Sequence, residues 1–215
     1  MVIDWLGHSC FKVTIRDGLV VLFDPFDASV GYVQQDVSPD VVVVSHDHYD
    51  HSDLSHVSGD YKVVNTAGMH EFGNVTIECI PTYHDHSGGA NRGINLVSVL
   101  SVRGITLAHL GDIGCVPDAD VLDKLQGLEI LLIPVGGNYT VDAGEALQIC
   151  DALQPNVIIP MHFKTPDSTL DIAPLHDFLE ATEGEYDVSY PGKNYLEIDK
   201  ASLKKRTRIV VMEYI

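Results

Sequence analysis

Short runs of apolar residues, each as long as a β-strand, follow one another through the first half of the chain. They span residues 2–6, 10–15, 19–23, 41–45, 62–65, 75–80, 95–102 and 105–110. Such runs, rich in β-branched residues and bounded by turn residues, predict strands. Glycine stands between consecutive runs at Gly18 and Gly104, which predicts two hairpin turns.

Helical periodicity enters in the second half of the chain and alternates with further strands. A helix over 142–153 is predicted most strongly, because Asp142 and Glu145 form a capping box and Pro155 follows its end. From Ala146 onward, apolar residues recur at i, i+3, i+4 and i+7, which defines one buried helix face. Further helices are predicted over 118–126 and 172–182, and further strands over 130–135 and 157–161.

This order of elements predicts the fold class. Strands joined by hairpins come first, and strands alternating with helices come later, which is typical of an α/β (α+β) protein. We therefore expect two mixed sheets packed together, with helices on the outside. We find no linker or repeat in the sequence, so a single domain over residues 1–215 is expected.

The charge of the chain disfavours one class of partner. The 215 residues carry 31 acidic and 13 basic side chains, which gives a formal net charge of −18. A field of this sign repels a phosphate backbone, so nucleic-acid binding is not expected. A short basic run at 204–208 is predicted to be a turn between late strands.

The cysteines and the apolar runs predict the compartment. Cys10, Cys79, Cys115 and Cys150 lie far apart without a paired spacing, which favours reduced thiols in a cytoplasmic protein. The first residues lack a basic segment followed by a long apolar run, so no secretory signal is predicted. No uninterrupted apolar run approaches the roughly 18 residues that a membrane span requires.

A dense set of ionisable residues follows the buried run VVVV at 41–44. The sequence SHDHYDH supplies His46, His48, Asp50 and His51 within six positions. Imidazole nitrogen and carboxylate oxygen suit borderline divalent metals such as zinc, manganese and iron. On a tight loop, the first two histidines can point toward one ion, and the aspartate and the last histidine can point toward a second ion.

Three other apolar runs are each followed, at the carboxyl end, by one further residue of a metal-binding type. His84 follows the run ending in CIPTY, Asp112 follows LAHLG, and His162 follows VIIPM. Strand ends of a rigid scaffold are suitable positions for ligands that are distant in sequence. We therefore expect these three residues to complete the metal site.

The segments WLGHSCF, LFDPF, VSHDHYDH, HLGD and PVGGNYTVDAGEALQICDALQPNVIIPMHFKT carry a family resemblance. In this order they resemble the metallo-β-lactamase fold superfamily, in the branch of small metal-dependent hydrolases that includes ascorbate-6-phosphate lactonase. The resemblance runs from about Ile3 to Thr165 and implies a four-layer αββα sandwich.

The resemblance also implies a role for each ligand. It assigns one ion to His46, His48 and His84, a second ion to Asp50, His51 and His162, and a bridging position to Asp112. Redox relatives with a di-iron centre commonly carry Glu where this chain has His48, so hydrolysis is favoured over electron transfer. We expect two divalent ions, with zinc favoured and manganese or iron as alternatives.

Three nearby histidines are open to more than one interpretation. His86 is an alternative to His84, although strand alternation and the resemblance favour His84. His8 is interpreted either as a support behind the metal ligands or as a packed structural histidine, and His109 is equally open. Asp24, before Pro25, is expected to brace the metal loop through hydrogen bonds.

These residues lead to a functional hypothesis. Two ions roughly 3.5–4 Å apart share a bridging hydroxide, which attacks an ester, lactone or phosphoester bond of a small molecule. Asp50 is the candidate catalytic residue, because its carboxylate can also accept the nucleophile's proton. The alternatives are a phosphodiesterase or nuclease acting on nucleic acid and a non-catalytic metal-binding protein. The sequence sets no oligomeric state.

Overall fold

The amino-terminal strands form a six-stranded sheet. In the computed structural model, which describes residues 1–203 and 206–214, its strands are β1 (Val2–Gly7), β2 (Cys10–Thr14), β3 (Val20–Phe23), β4 (Val41–Val43), β5 (Lys62–Val64) and β13 (Tyr195–Glu197). Their spatial order is β13-β1-β2-β3-β4-β5. The pairs from β13 to β3 are antiparallel, whereas β3, β4 and β5 run parallel. The sheet is therefore mixed.

The second sheet contains the longest strands of the chain. Its eight strands are β6 (Gly68–Phe72), β7 (Val75–Tyr83), β8 (Ile94–Val102), β9 (Ile105–His109), β10 (Ile130–Pro134), β11 (Val157–Met161), β12 (Asp187–Ser189) and β14 (Arg208–Val210). Their spatial order is β12-β14-β11-β10-β9-β8-β7-β6. The strands from β12 to β9 run parallel and those from β9 to β6 antiparallel, so this sheet is also mixed.

Three α-helices accompany the second sheet. α1 (Ala119–Leu125) connects β9 to β10, α2 (Ala143–Leu153) connects β10 to β11, and α3 (Leu175–Ala181) follows β11. Asp142 and Glu145 form the predicted capping box of α2, with both reciprocal hydrogen bonds present. No helix in the described residues is long and apolar enough to cross a membrane.

The main core lies between the two sheets, where the inner faces of both contribute fully buried residues such as Phe11, Phe23, Ile77 and Leu107. Each such side chain stabilises the fold by about 1.5–3 kcal/mol. A second cluster covers the outer face of the first sheet and consists of Leu6, Cys10, Leu22, Phe26, Val30 and Tyr32. Three of these come from the segment after β3, whose only helical turn is a 3₁₀ turn at Ala28–Val30.

The two mixed sheets and the three helices confirm the predicted fold class. The apolar runs predict no strand between residues 65 and 75, where the structure has β6. β6 has no β-branched residue and forms through antiparallel pairing with β7. Lys204 and Lys205, from the basic run predicted as a turn, lie outside the described residues.

Candidate metal centre

A tight loop after β4 carries the densest part of the site. The backbone N–H groups of His51 and Ser52 both donate to the carbonyl oxygen of His48, at 2.9 and 3.0 Å. This turn separates the side chains into two directions. The rings of His46 and His48 lie with their centroids 4.5 Å apart, whereas Asp50 and His51 face another set of residues.

The first group of ligand atoms belongs to His46, His48 and His84, whose nitrogens lie within 4.8 Å of one another. His84 comes directly after β7, and its ring centroid lies 4.6 Å from that of His46. His46 and His84 are buried, while His48 is partly exposed. The first group is therefore the one that solvent reaches.

The second group consists of Asp50, His51, His162 and His8, whose ligand atoms also lie within 4.8 Å of one another. All four residues are buried. His162 follows β11 and has a left-handed backbone, with a φ of 50°. Its carbonyl oxygen lies so close to Gly136 that a Cβ added to that residue would be only 2.1 Å away. Glycine at 136 is therefore what lets the loop after β10 pass beside His162.

Asp112 lies between the two groups. Its Oδ1 is 3.1 Å from His51 Nε2, and its Oδ2 is 3.2 Å from His162 Nε2, 3.6 Å from His84 Nε2 and 4.0 Å from His46 Nε2. Burial alone would raise the pKa of this carboxyl, but the imidazoles of His162 and His51 hold it well below the usual range. Asp112 is therefore an ionised carboxylate that faces histidines of both groups.

Asp24 braces the loop after β4, as its place before Pro25 predicted. Its Oδ1 accepts from the backbone N–H of Ser45 at 2.8 Å, and its Oδ2 accepts from Ser45 Oγ at 2.6 Å and from His51 Nδ1 at 2.7 Å. Because Ser45 Oγ donates to the carboxylate, it accepts from His46 Nδ1 at 2.9 Å. Both imidazoles thus carry their proton on Nδ1 and turn Nε2 toward Asp112.

Electrostatics favour a cation in this cluster. Burial, followed by the charge of His51, lowers the pKa of His46 to about 3, so that imidazole is neutral and offers a lone pair. Burial also lowers the pKa of His51, but Asp112 and Asp24 outweigh it and raise that pKa well above its usual range. The two carboxylates therefore attract positive charge to the position in front of His51 Nε2.

Asn95, which the sequence analysis did not single out, positions Asp112. Its side-chain oxygen accepts from the backbone N–H of Asp112 at 2.9 Å, and its amide nitrogen donates to the carbonyl of Leu110 at 2.9 Å. Asn95 is fully buried within β8. Asparagine is uncommon in strands, so an asparagine in an apolar run was the feature of the sequence that could have marked this residue as functional.

The residues left open by the sequence have distinct positions. His109 has both ring nitrogens occupied, because Nε2 donates to the carbonyl of Ser9 at 2.8 Å and Nδ1 accepts from the N–H of Gly111 at 3.1 Å. His86 is 66% exposed and faces Glu145 at 3.5 Å. His8 joins the second group. Cys115 belongs to none of the described ligand groups.

The buried polar atoms of the cluster test whether a metal fits. Within residues 1–203 and 206–214, several of them have no hydrogen-bond partner, namely His46 Nε2, His51 Nε2, His84 Nδ1, Asp112 Oδ1 and both ring nitrogens of His8 and His162. Buried polar atoms without a partner are costly unless a water or an ion satisfies them. Nitrogen and oxygen donors of this kind fit divalent transition metals.

Comparisons with known proteins agree with this geometry. A family model described as a beta-lactamase superfamily domain matches residues 2–162. A solved structure from Thermotoga maritima, described as a candidate Zn-dependent hydrolase of the metallo-β-lactamase superfamily, is 34% identical with a TM-score of 0.80. The match covers 98% of this chain and 97% of that chain. The chain belongs to the metallo-β-lactamase superfamily.

Relatives within the superfamily define the class of activity. A UPF0173 metal-dependent hydrolase of Carboxydothermus hydrogenoformans is 31% identical over 223 residues, covering 90% of this chain and 98% of that protein. One of Thermoplasma volcanium is 29% identical over 188 residues, covering 76% and 83%. This member of the superfamily is therefore a metal-dependent hydrolase.

A loop of this hydrolase over 85–93 borders the first group of ligands. The buried carboxylate of Asp85 accepts from four backbone N–H groups of its own loop, those of Ser87, Gly89, Asn91 and Arg92. Burial alone would raise the pKa of Asp85, but these bonds hold it below the usual value. The loop continues into the site, because His84 N–H donates to the carbonyl of Gly93 at 3.1 Å.

Proposed function

We propose that the protein is a dinuclear metal-dependent hydrolase that cleaves an ester, lactone or phosphoester bond of a small molecule. The position of Asp112 carries this proposal. A buried, ionised carboxylate with separate oxygens near histidines of two groups is the arrangement that a pair of cations requires. A single ion would leave the buried nitrogens of the other group without a partner.

The two groups divide the proposed ligands between the ions. His46, His48 and His84 would hold the first ion, Asp50, His51 and His162 the second, and Asp112 both. The set contains five imidazoles and two carboxylates but no thiolate. Zinc fits such a set best, and manganese and iron are the alternatives.

Asp50 is the proposed proton acceptor of the reaction. When bound, two divalent ions lower the pKa of water from about 15.7 to near 7 and polarise the bond that is attacked. Burial alone would raise the pKa of Asp50, but His8 and His51 hold it far below the usual value. The carboxylate is therefore ionised at neutral pH, and because its low pKa makes it a weak base, it would pass the nucleophile's proton on rather than keep it.

Arg92 supports an anionic small molecule as the substrate. Its guanidinium donates to the carbonyl of Asn138 at 3.1 Å and lies 5.1 Å from the ring centre of Tyr139. Burial is the main cause of the lowered pKa of His84, and the positive charge of Arg92 lowers it further. The charge of Arg92 therefore reaches the first group of ligands. In a chain of net charge −18, a cation whose charge reaches His84 favours an anionic group over a polymer of phosphates.

Replacing Arg92 with glutamine is expected to raise KM selectively for anionic substrates. The KM for mono-p-nitrophenyl succinate should rise about tenfold, the value of one charge-assisted hydrogen bond, while that for p-nitrophenyl acetate stays unchanged. Arg103→Gln is the control, because Arg103 is exposed and paired with Asp17 at the opposite end of β8. An equal rise in KM for both esters would contradict a charge-specific role.

The proposed function is tested by metal content together with turnover. We expect two divalent ions per chain by elemental analysis, and hydrolysis of at least one of p-nitrophenyl acetate, bis-p-nitrophenyl phosphate and a simple lactone. Turnover should stop after chelation and return when the metal is added back. Two bound ions with no turnover of any of the three would favour a non-catalytic metal-binding protein. Salt-sensitive binding of RNA would favour the nuclease alternative.

A further inference from the structure

His8 is held in an unusual backbone conformation at the turn between β1 and β2. Its φ is 51°, in the left-handed region that non-glycine residues rarely occupy. Its carbonyl oxygen accepts from Trp5 Nε1 at 2.9 Å and from the backbone N–H of His162 at 3.4 Å. Strained residues persist where the surrounding structure fixes them, and they cluster at functional sites.

The ring of His8 is fully buried, and within the described residues neither of its nitrogens has a hydrogen-bond partner. Nε2 lies 3.5 Å from Asp50 Oδ2, and the ring centroid lies 4.3 Å from that of His162 and 5.2 Å from that of His51. Nε2 of this ring is therefore buried, turned toward Asp50 and without a partner that satisfies it.

His109 is a structural histidine with which His8 can be compared. It is equally buried, but backbone groups satisfy both of its nitrogens, one as donor and one as acceptor. A histidine that serves only packing would be expected to find such partners. His8 instead presents Nε2 to the ligand atoms of Asp50, His51 and His162, all within 4.8 Å of one another.

We propose that His8 supplies Nε2 as a further ligand in the second group, beside Asp50, His51 and His162. This assignment rests on the proposed two-ion function. It makes the two groups unequal, because the second then holds three buried imidazoles and a carboxylate, whereas the first has three imidazoles and is partly open at His48. The second position should bind its ion more tightly, and the first should remain accessible to the substrate.

The assignment can be tested in the unaltered protein by a measurement that does not depend on enzymatic turnover. The protein is labelled with ¹⁵N-histidine and loaded with ¹¹³Cd²⁺, so that each coordinated histidine nitrogen is split by the metal nucleus. We expect six split nitrogens, from the five proposed histidine ligands and His8. Five split nitrogens, with the His8 resonances unsplit in a fully loaded protein, would overturn the assignment and leave the two-ion function standing.

The His8→Ala variant identifies the sixth signal and measures its effect. One split nitrogen should disappear, and affinity at the second position should fall by more than about 100-fold, beyond the usual effect of a supporting residue. Millimolar imidazole should restore part of that affinity. His86→Ala, an exposed histidine that faces Glu145, is the control and should change nothing.

The outcomes separate this inference from the proposed function. A split His8 nitrogen in a protein that hydrolyses none of the test substrates would contradict the function and support the ligand assignment. Should His8→Ala fail to fold, the count of split nitrogens in the unaltered protein still decides whether His8 is a metal ligand. A protein that binds no cadmium at all would overturn both.

Discussion

Replacing Asp112 with alanine is expected to release both metal ions together and to lower kcat/KM by at least roughly 10³-fold. Asp112 is the carboxylate whose two oxygens face both groups of ligands, at 3.1 Å from His51 Nε2 and 3.6 Å from His84 Nε2. Its removal also takes away the negative charge that opposes repulsion among the histidines of the cluster. Neither position keeps its full set of ligands.

The measurement is elemental analysis of the dialysed variant, together with kcat/KM for whichever of the three test substrates the unaltered protein hydrolyses. Asp47→Ala is a suitable control, because Asp47 lies in the same loop but is exposed, and within the described residues its carboxylate accepts a hydrogen bond only from Ser52 Oγ, at 3.2 Å. Two ions retained by Asp112→Ala would show that Asp112 does not bridge. Loss of one ion alone would assign Asp112 to a single position.

Replacing Asp24 with alanine is expected to weaken metal binding about 10- to 100-fold although Asp24 belongs to none of the ligand groups. Its carboxylate fixes the orientation of the His51 ring and, through Ser45, the tautomer of His46. The change also leaves a buried backbone N–H at Ser45 without its acceptor. The free energy of unfolding should therefore fall by about 3–5 kcal/mol, as for other broken buried charge pairs.

Chemical denaturation in the presence of a chelator separates the structural effect of Asp24→Ala from the loss of metal. Asp24→Asn keeps an oxygen that can accept from the Ser45 N–H but loses the charge, so its loss of stability should be smaller. Asp27→Ala is the control, since Asp27 is a nearby carboxylate that caps an exposed turn at Ser29. An Asp24→Ala variant with unchanged metal affinity would contradict the bracing role.

The elements that local pattern predicted well are those that are buried on both faces or strongly periodic. Val41–Val43 and Ile130–Pro134 are entirely buried, and their continuous apolar runs identified them as strands. α2 (Ala143–Leu153) was predicted from its periodicity and its capping box. β6 (Gly68–Phe72) was missed because its residues have little intrinsic strand preference and pairing with β7 forms it.

The sequence by itself determined most of the strands, and it determined that several of them are followed by a residue of a metal-binding type, because both are properties of neighbouring residues. Only the tertiary structure brought His84, Asp112 and His162 to the loop at 46–51, and turned His86 outward to Glu145. Only it placed His8, from the first turn of the chain, beside Asp50. The direction of a buried ring depends on contacts across two packed sheets, between residues as far apart as His8 and His162, and no local pattern encodes those contacts.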